Sequence, residues 1–320
     1  MYIINYITLW VIISILFCNP VYSQKMDAYK IYDSDGSEAN FEDLFEEALE
    51  SNIVFFGETH NNPICHWLEF ELTKALFGKI SERLILGAEM FESDDQIKIN
   101  EYLSGVISQK NFEDEAKLWN NYKTDYKGLV EFAKANKLKF IGTNIPRRYA
   151  ALVSQRGIES LDSLSSVAKS YLAPLPIEMD LELPNYKKME ELMNTKVERG
   201  VAQMPKQQPD SAKLAQMAAK MKENQDKLKF FKQAQAVKDA TMAHFILKNL
   251  FKDSIFIHYN GTYHTNNYEG IVWFIKKQSP NLKVLTIATV EQNDIQELEK
   301  DNYKLADFII VIPETMTKTY

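Results

Sequence analysis

Short apolar runs recur near residues 53–56, 84–88, 139–143, 254–259, 283–289 and 308–312. They are continuous rather than alternating, and the first ends in a turn residue, as in Ile53-Val54-Phe55-Phe56-Gly57. That is the pattern of strands buried on both faces of a parallel sheet. Helical spacing fills most of the intervals. Pro63 suits the first turn of a helix carrying Trp67, Leu68, Leu72 and Leu76 to Gly78, and Pro146 opens another through Tyr149, Leu152 and Val153 to Gly157. The alternation predicts an α/β fold, a mostly parallel sheet flanked by helices, with right-handed crossovers. The rhythm breaks between about 160 and 232, where Pro174, Pro176 and Pro184 cluster and a Gln-, Lys-, Ala- and Met-rich stretch runs from Lys206 to Lys229. Met189/Met193 and Met217/Met221 are four apart, so each pair shares a helix face. Such a stripe is either core or the adaptable underside of a cap over a flat apolar ligand. The reading is a single domain over 24–320 with a helical cap inserted at about 160–232, after which a helix runs from Phe230 to Phe251.

The first 23 residues stand apart. Ile7 to Phe17 is apolar but too short to span a bilayer, and Val21-Tyr22-Ser23 suits a signal-peptidase site that leaves Gln24 as the new N-terminus. No Lys or Arg precedes the run, and Cys18 after Phe17 offers lipid attachment as the alternative. Either route predicts an exported protein, periplasmic or membrane-associated. The formal net charge of −7 gives a nucleic-acid partner no electrostatic support. Cleavage leaves Cys65 as the single cysteine, hence no intrachain disulfide, and it is expected to be a small buried hydrophobe.

Candidate chemistry gathers at the strand ends, where α/β folds build their ligand sites. Glu58 and His60 follow the first apolar run, Glu89 follows the second, and His264 follows Gly261 after the fourth. Two residues apart at a strand end, Glu58 and His60 point to one side. Together the four side chains can hold a divalent metal ion or activate water. Their bland reading is a set of structural Glu-His hydrogen bonds. His66 is expected to be partly exposed and idle, His244 packed or solvated within a helix, and His258 a satisfied core histidine. Asp94 and Asp95 are expected to cap the next helix. Asn144, Arg147 and Arg148 surround a helix start, whose free N–H groups and a guanidinium suit a phosphate, a carboxylate or a haem propionate. Adjacent arginines diverge on a helix, so one at most faces the pocket. No Gly-x-Ser-x-Gly, Gly-rich phosphate loop, Cys-x-x-Cys-His or His-Glu-x-x-His motif occurs.

Gly57-Glu58-Thr59-His60, Gly87-Ala88-Glu89-Met90-Phe91, Asn144-Ile145-Pro146-Arg147, Lys238-Asp239-Ala240-Thr241-Met242-Ala243 and Gly261-Thr262-Tyr263-His264 occur in that order. This series resembles the ChaN-like haem-binding uptake family, over about 40–312, and more distantly the clan of erythromycin esterases, TraB and Tiki proteins. The resemblance implies haem and iron acquisition, haem held between two protomers of a homodimer with Tyr and His as candidate iron ligands, and an outer-membrane uptake machinery as partner. Tyr149, Tyr171 and Tyr186, in or near the cap, are the tyrosines considered as ligands, and Arg147 or Arg148 would neutralise a propionate. The alternative is a metal-dependent hydrolase or peptidase using Glu58, His60, Glu89 and His264. The Lys/Gln/Met stretch has no counterpart in the family's pattern, and a convincing lipid-attachment motif is missing.

Overall fold

In a computed structural model, which describes residues 27–191 and 211–320, eight strands form one sheet in the order β2-β1-β8-β7-β3-β6-β4-β5. The strands are β1 (Lys30–Asp33), β2 (Glu38–Ala39), β3 (Ile53–Glu58), β4 (Leu84–Glu92), β5 (Lys139–Asn144), β6 (Ile255–Gly261), β7 (Val284–Gln292) and β8 (Phe308–Pro313). Six of them run parallel, and β1 closes the β8 edge by pairing antiparallel with both β8 and β2. All six expected strands are present. The β1–β2 hairpin is additional; strands this short carry too little periodicity to be read from sequence.

Strand parity decides what each side chain meets. On β3, Val54 and Phe56 join one core, while Ile53 and Phe55 join the other. The first core lies under α1 (Phe41–Leu49), α2 (Pro63–Ile80), α3 (Gln96–Leu103), α4 (Gln109–Glu115) and α5 (Lys127–Ala135). The opposite face is covered by α6 (Arg147–Arg156), α8 (Ser211–Asn249) and α9 (Ile271–Gln278), with the short α7 (Ser166–Lys169) between α6 and α8 in the chain. Asn62 caps α2 by accepting from the Ile64 N–H, and Pro63 occupies the first helical position. Helix α8 is 39 residues long, beginning well before the expected Phe230 and ending at Asn249.

The region read as a cap divides. Residues 192–210 lie outside the described residues, as do the leader at 1–23, Cys18 and Met193. Residues 158–191 pack down as core: Leu161 and Leu172 on α6 and α8, Ala173 and Tyr186 against α8 and α9, with Met189 partly buried beside them. Cys65 is buried and burial pushes its thiol up to about 12, so it packs as an inert hydrophobe. Among the described residues no helix is long and apolar enough to cross a membrane.

Candidate functional site

The carboxyl ends of β3, β4, β5 and β6 lie side by side, and here the sheet carries its buried charges. Glu58 shares parity with Val54 and Phe56, so its carboxylate turns toward α2. Glu89 shares parity with Ile85 and turns toward α8. The two strand-end glutamates therefore serve opposite faces.

On the α8 side, His264 lies between two buried carboxylates: Nδ1 donates to Asp239 Oδ1 at 2.5 Å, and Nε2 faces Glu89 Oε1 at 3.3 Å. Tyr186 donates its hydroxyl to the other Asp239 oxygen at 2.6 Å, and the Gly261 N–H donates to Glu89 Oε2 at 2.9 Å. Burial alone would depress His264, but the charges of Glu89 and Asp239 outweigh it and raise its pKa to about 10. Burial likewise opposes ionisation of Glu89, and the His264 charge reverses this, holding Glu89 below the usual carboxylate range. His264 is thus a fixed cation at neutral pH.

On the α2 side, Glu58 Oε1 accepts from His60 Nδ1 and from the Tyr126 hydroxyl, both at 2.6 Å. Burial pushes Glu58 up, but the His60 hydrogen bond and the nearby imidazoles hold it below its ordinary value. His60 is raised: burial opposes its charge, and the Glu58 hydrogen bond and carboxylate prevail. Glu69 is pushed well up by burial and by Glu58. His66, expected to be idle, is instead buried. Its Nδ1 is 3.1 Å from Glu69 Oε2, and its Nε2 is 3.1 Å from the His60 carbonyl and 3.6 Å from Asp125. Helix α2 buries the face carrying Cys65, Leu68, Leu72 and Leu76, and its first-turn histidine falls on that face.

The two sides meet over Gly261. A Cβ there would lie 2.8 Å from His60 Nε2 and 3.6 Å from Glu89 Oε2, so a glycine is what lets them approach. Glu58, His60, Glu89 and His264 come together as two ion pairs. Among the described residues, the His/Cys/Asp/Glu group whose ligand atoms converge is a different one, Glu58, His66 and Glu69.

Above Glu89 opens a cleft of about 420 Å³. Leu118, Trp119, Ile145 and Ala150 supply apolar wall, Arg147 and Lys238 positive charge, Glu89 and Glu92 negative charge, and Tyr320 also lines it. Trp119 packs edge-on against His60, with ring centroids 4.9 Å apart. Asn144 lines the cleft and donates to the Glu89 carbonyl at 3.0 Å. Arg147 lines it as well, with Nε 3.4 Å from Glu92. Arg148 turns away: it donates to Asp94 at 2.6 Å and lies over the Tyr149 ring. Asp94 and Asp95 accordingly hold Arg148, Lys117 and Lys98 rather than capping α3, at whose start no side-chain cap bond forms. Tyr149, Tyr171 and Tyr186 are not among the lining residues. Tyr149 carries Arg148, Tyr171 accepts from Ser93 through its carbonyl, and Tyr186 buttresses Asp239. His258 is a satisfied core histidine between Thr143 and Asn260, lowered to about 4 by burial. Sequence reading quoted Lys238 and Asp239 without assigning either a role, and it missed Glu69, Trp119, Tyr126 and Tyr320. Of these, Glu69 alone left a local signal, an acid on the apolar stripe Cys65-Glu69-Leu72-Leu76 of α2.

The profile of the haem-binding uptake family, ChaN, of the Tiki superfamily matches residues 44–275. Among solved structures, one described as cofacial haem binding to ChaN of Campylobacter jejuni superposes with a TM-score of 0.63 at 17% identity, covering 89% of this chain and 96% of that one. An erythromycin esterase in an open conformation superposes at 0.44 and 13% identity, covering 85% and 78%. A succinoglycan biosynthesis protein superposes at 0.45 and 14%, covering 86% and 91%. No curated protein sequence matches significantly. With well over half its length matched by that profile, the chain belongs to the ChaN family of haem-binding uptake proteins within the Tiki superfamily.

Proposed function

We propose that the protein is an exported haem carrier in haem and iron acquisition, and that the cleft above Glu89 takes the haem. The observation that carries this reading is the composition of that cleft. Its volume lies in the range of small-ligand sites, and one cavity combines apolar wall, two cations and a phenol. Haem needs those three things: a flat apolar slot, partners for its propionates and an oxygen or nitrogen for its iron. Arg147 at the start of α6 and Lys238 would meet the propionates, helped by the free N–H groups of a helix end whose Pro146 supplies no side-chain cap. Tyr320 would hold the iron, and Trp119 would stack on the ring. Buried Glu89 and Glu92 are paired rather than bare, the first with His264 and the second with Lys117 and Arg147. Arg147 is well exposed and the cleft is open at its rim, which suits a face shared by two protomers in a haem-linked homodimer. The apolar run at 7–17 supports export, with an outer-membrane uptake machinery as the partner.

Hydrolysis draws less support. A base must be unprotonated at working pH, and His264 lies between two carboxylates that keep it cationic. Haemin titration of the purified protein, followed in the Soret region, tests the proposal. A saturable shift that Tyr320→Phe alters is expected. An unsaturable response, or one identical in Tyr320→Phe and unaffected by Arg147→Ala, would remove the cleft as the haem site.

A further inference from the structure

We infer that Glu58, His66 and Glu69 form a second site beneath the cleft floor, taking a first-row divalent cation that enters past Asp125. The ligand atoms of these three buried side chains lie within 4.8 Å of one another. Two carboxylate oxygens there, Glu58 Oε2 and Glu69 Oε1, are buried without a hydrogen-bond donor. Orphaned buried carboxylate oxygens are costly, and something positive belongs between them.

The tautomer of His66 identifies the missing group. Its Nε2 faces the His60 carbonyl at 3.1 Å, and a carbonyl can only accept, so Nε2 carries the hydrogen. Its Nδ1 is therefore the ring atom that faces the carboxylates, 3.1 Å from Glu69 Oε2 and 3.7 Å from Glu58 Oε2. One cation placed among these three side chains would be shared by all of them and would offset the buried negative charge. The two separations from His66 Nδ1 bracket the edge of about 3.4 Å expected for a tetrahedral ion with bonds near 2.1 Å. One imidazole and two carboxylates suit manganese, iron or zinc.

The surroundings are those of a supported metal site. Histidine ligands characteristically donate their other ring N–H to a carbonyl, as His66 does. The second oxygen of Glu58 is fixed by His60 and Tyr126. A side cavity of about 300 Å³, lined by His66, Asp125, Trp67, Phe70 and Thr319, reaches the imidazole from outside and gives an ion its entry path. Because these residues are distinct from the haem cleft's cations and phenol, the inference does not depend on the haem reading.

The test uses chelator-treated, haem-free protein titrated separately with Zn²⁺ and Mn²⁺ by calorimetry, with elemental analysis of the untreated protein. One equivalent of saturable binding is expected for at least one ion. His66→Ala and Glu69→Gln should weaken it more than about tenfold, while Glu89→Gln on the other face changes it less than threefold. Glu69→Gln presents an amide donor to Glu58 Oε2, so this variant retains its fold without metal, as its circular-dichroism melt would verify. No saturable binding of either ion would overturn the site in favour of protons alone. Binding lost in Glu89→Gln yet intact in Glu69→Gln would overturn it in favour of the cleft floor. Haemin titration of the same samples reports separately on the haem reading.

Discussion

Replacing Asp239 with Asn tests the electrostatics of the α8 side with little steric change. The amide oxygen still accepts from His264 Nδ1, and the Tyr186 hydroxyl can turn to accept from the new N–H, so hydrogen bonds survive and one buried charge is lost. His264 rises from its ordinary 6.5 to about 10 because two carboxylates outweigh its burial. At about 1.4 kcal/mol per pH unit, that gap represents about 5 kcal/mol of preference for the folded cation. With Glu89 left as sole counter-charge, the expected loss of stability at pH 7 is about 2–4 kcal/mol. The sign with pH follows from the same shift. A folded pKa above the unfolded one means that the native state holds the extra proton. The His264 contribution is therefore full below 6.5 and is lost as pH rises through about 10. Glu89 is shifted the other way, so its contribution is full above 4.5 and is lost as pH falls through its depressed value. Urea unfolding at intervals from pH 6 to 10, taken as the difference between wild type and Asp239→Asn, cancels the other titrating groups. The difference should be largest near pH 6–7 and shrink toward pH 10. A flat difference, or a loss below about 0.5 kcal/mol at pH 7, would refute the fixed-cation argument.

Tyr186→Phe removes a buried hydroxyl donating to Asp239 at 2.6 Å, and urea unfolding should register a loss of about 1.5–3 kcal/mol. Gly261→Ala pushes a Cβ to 2.8 Å from His60 Nε2; the imidazole must swing off Glu58, and unfolding should show about 1–3 kcal/mol of destabilisation. Arg147→Ala leaves thermal unfolding unchanged, because the side chain is 70% exposed. In haemin titration it should cost about 1 kcal/mol, roughly fivefold in affinity, and an unchanged Kd would remove Arg147 from the propionate role.

The strands were legible because burial on both faces leaves uninterrupted runs such as Ile53-Val54-Phe55-Phe56 and Phe308-Ile309-Ile310-Val311-Ile312. Glu58, His60, Glu89 and His264 were legible because polar residues at the ends of such runs are conspicuous. Their partners were not. Tyr126 reaches the site from a helix distant in sequence, and nothing local distinguishes it from a surface residue. His66 was misread because a histidine in a first helical turn is ordinarily exposed. The phase of α2 decides otherwise, since Cys65, Glu69, Leu72 and Leu76 mark the buried stripe and His66 falls beside it. Asp239 stands on a comparable stripe with Ala236, Ala240 and Ala243. An acid on an apolar helical stripe is the signal that would have pointed to both hidden carboxylates.

The same parity that builds the sheet explains why four residues expected to act together divide into pairs. Adjacent strand ends deliver carboxylates to one edge, but the face each carboxylate sees is fixed by its place in the strand's alternation. Glu58 falls with Val54 and Phe56 and meets the imidazole and acid of α2. Glu89 falls with Ile85 and meets the acid of α8 and the histidine after β6. Each strand-end carboxylate meets an imidazole on its own side, so neither requires the other's partners. What crosses the edge is His60, held by Glu58 yet placed with Nε2 against Gly261 beside Glu89. An ion bound to the free oxygen of Glu58 would therefore act on the cleft above Glu89 through this imidazole. That gives one narrow route by which a buried charge on the α2 side could influence a ligand above Glu89.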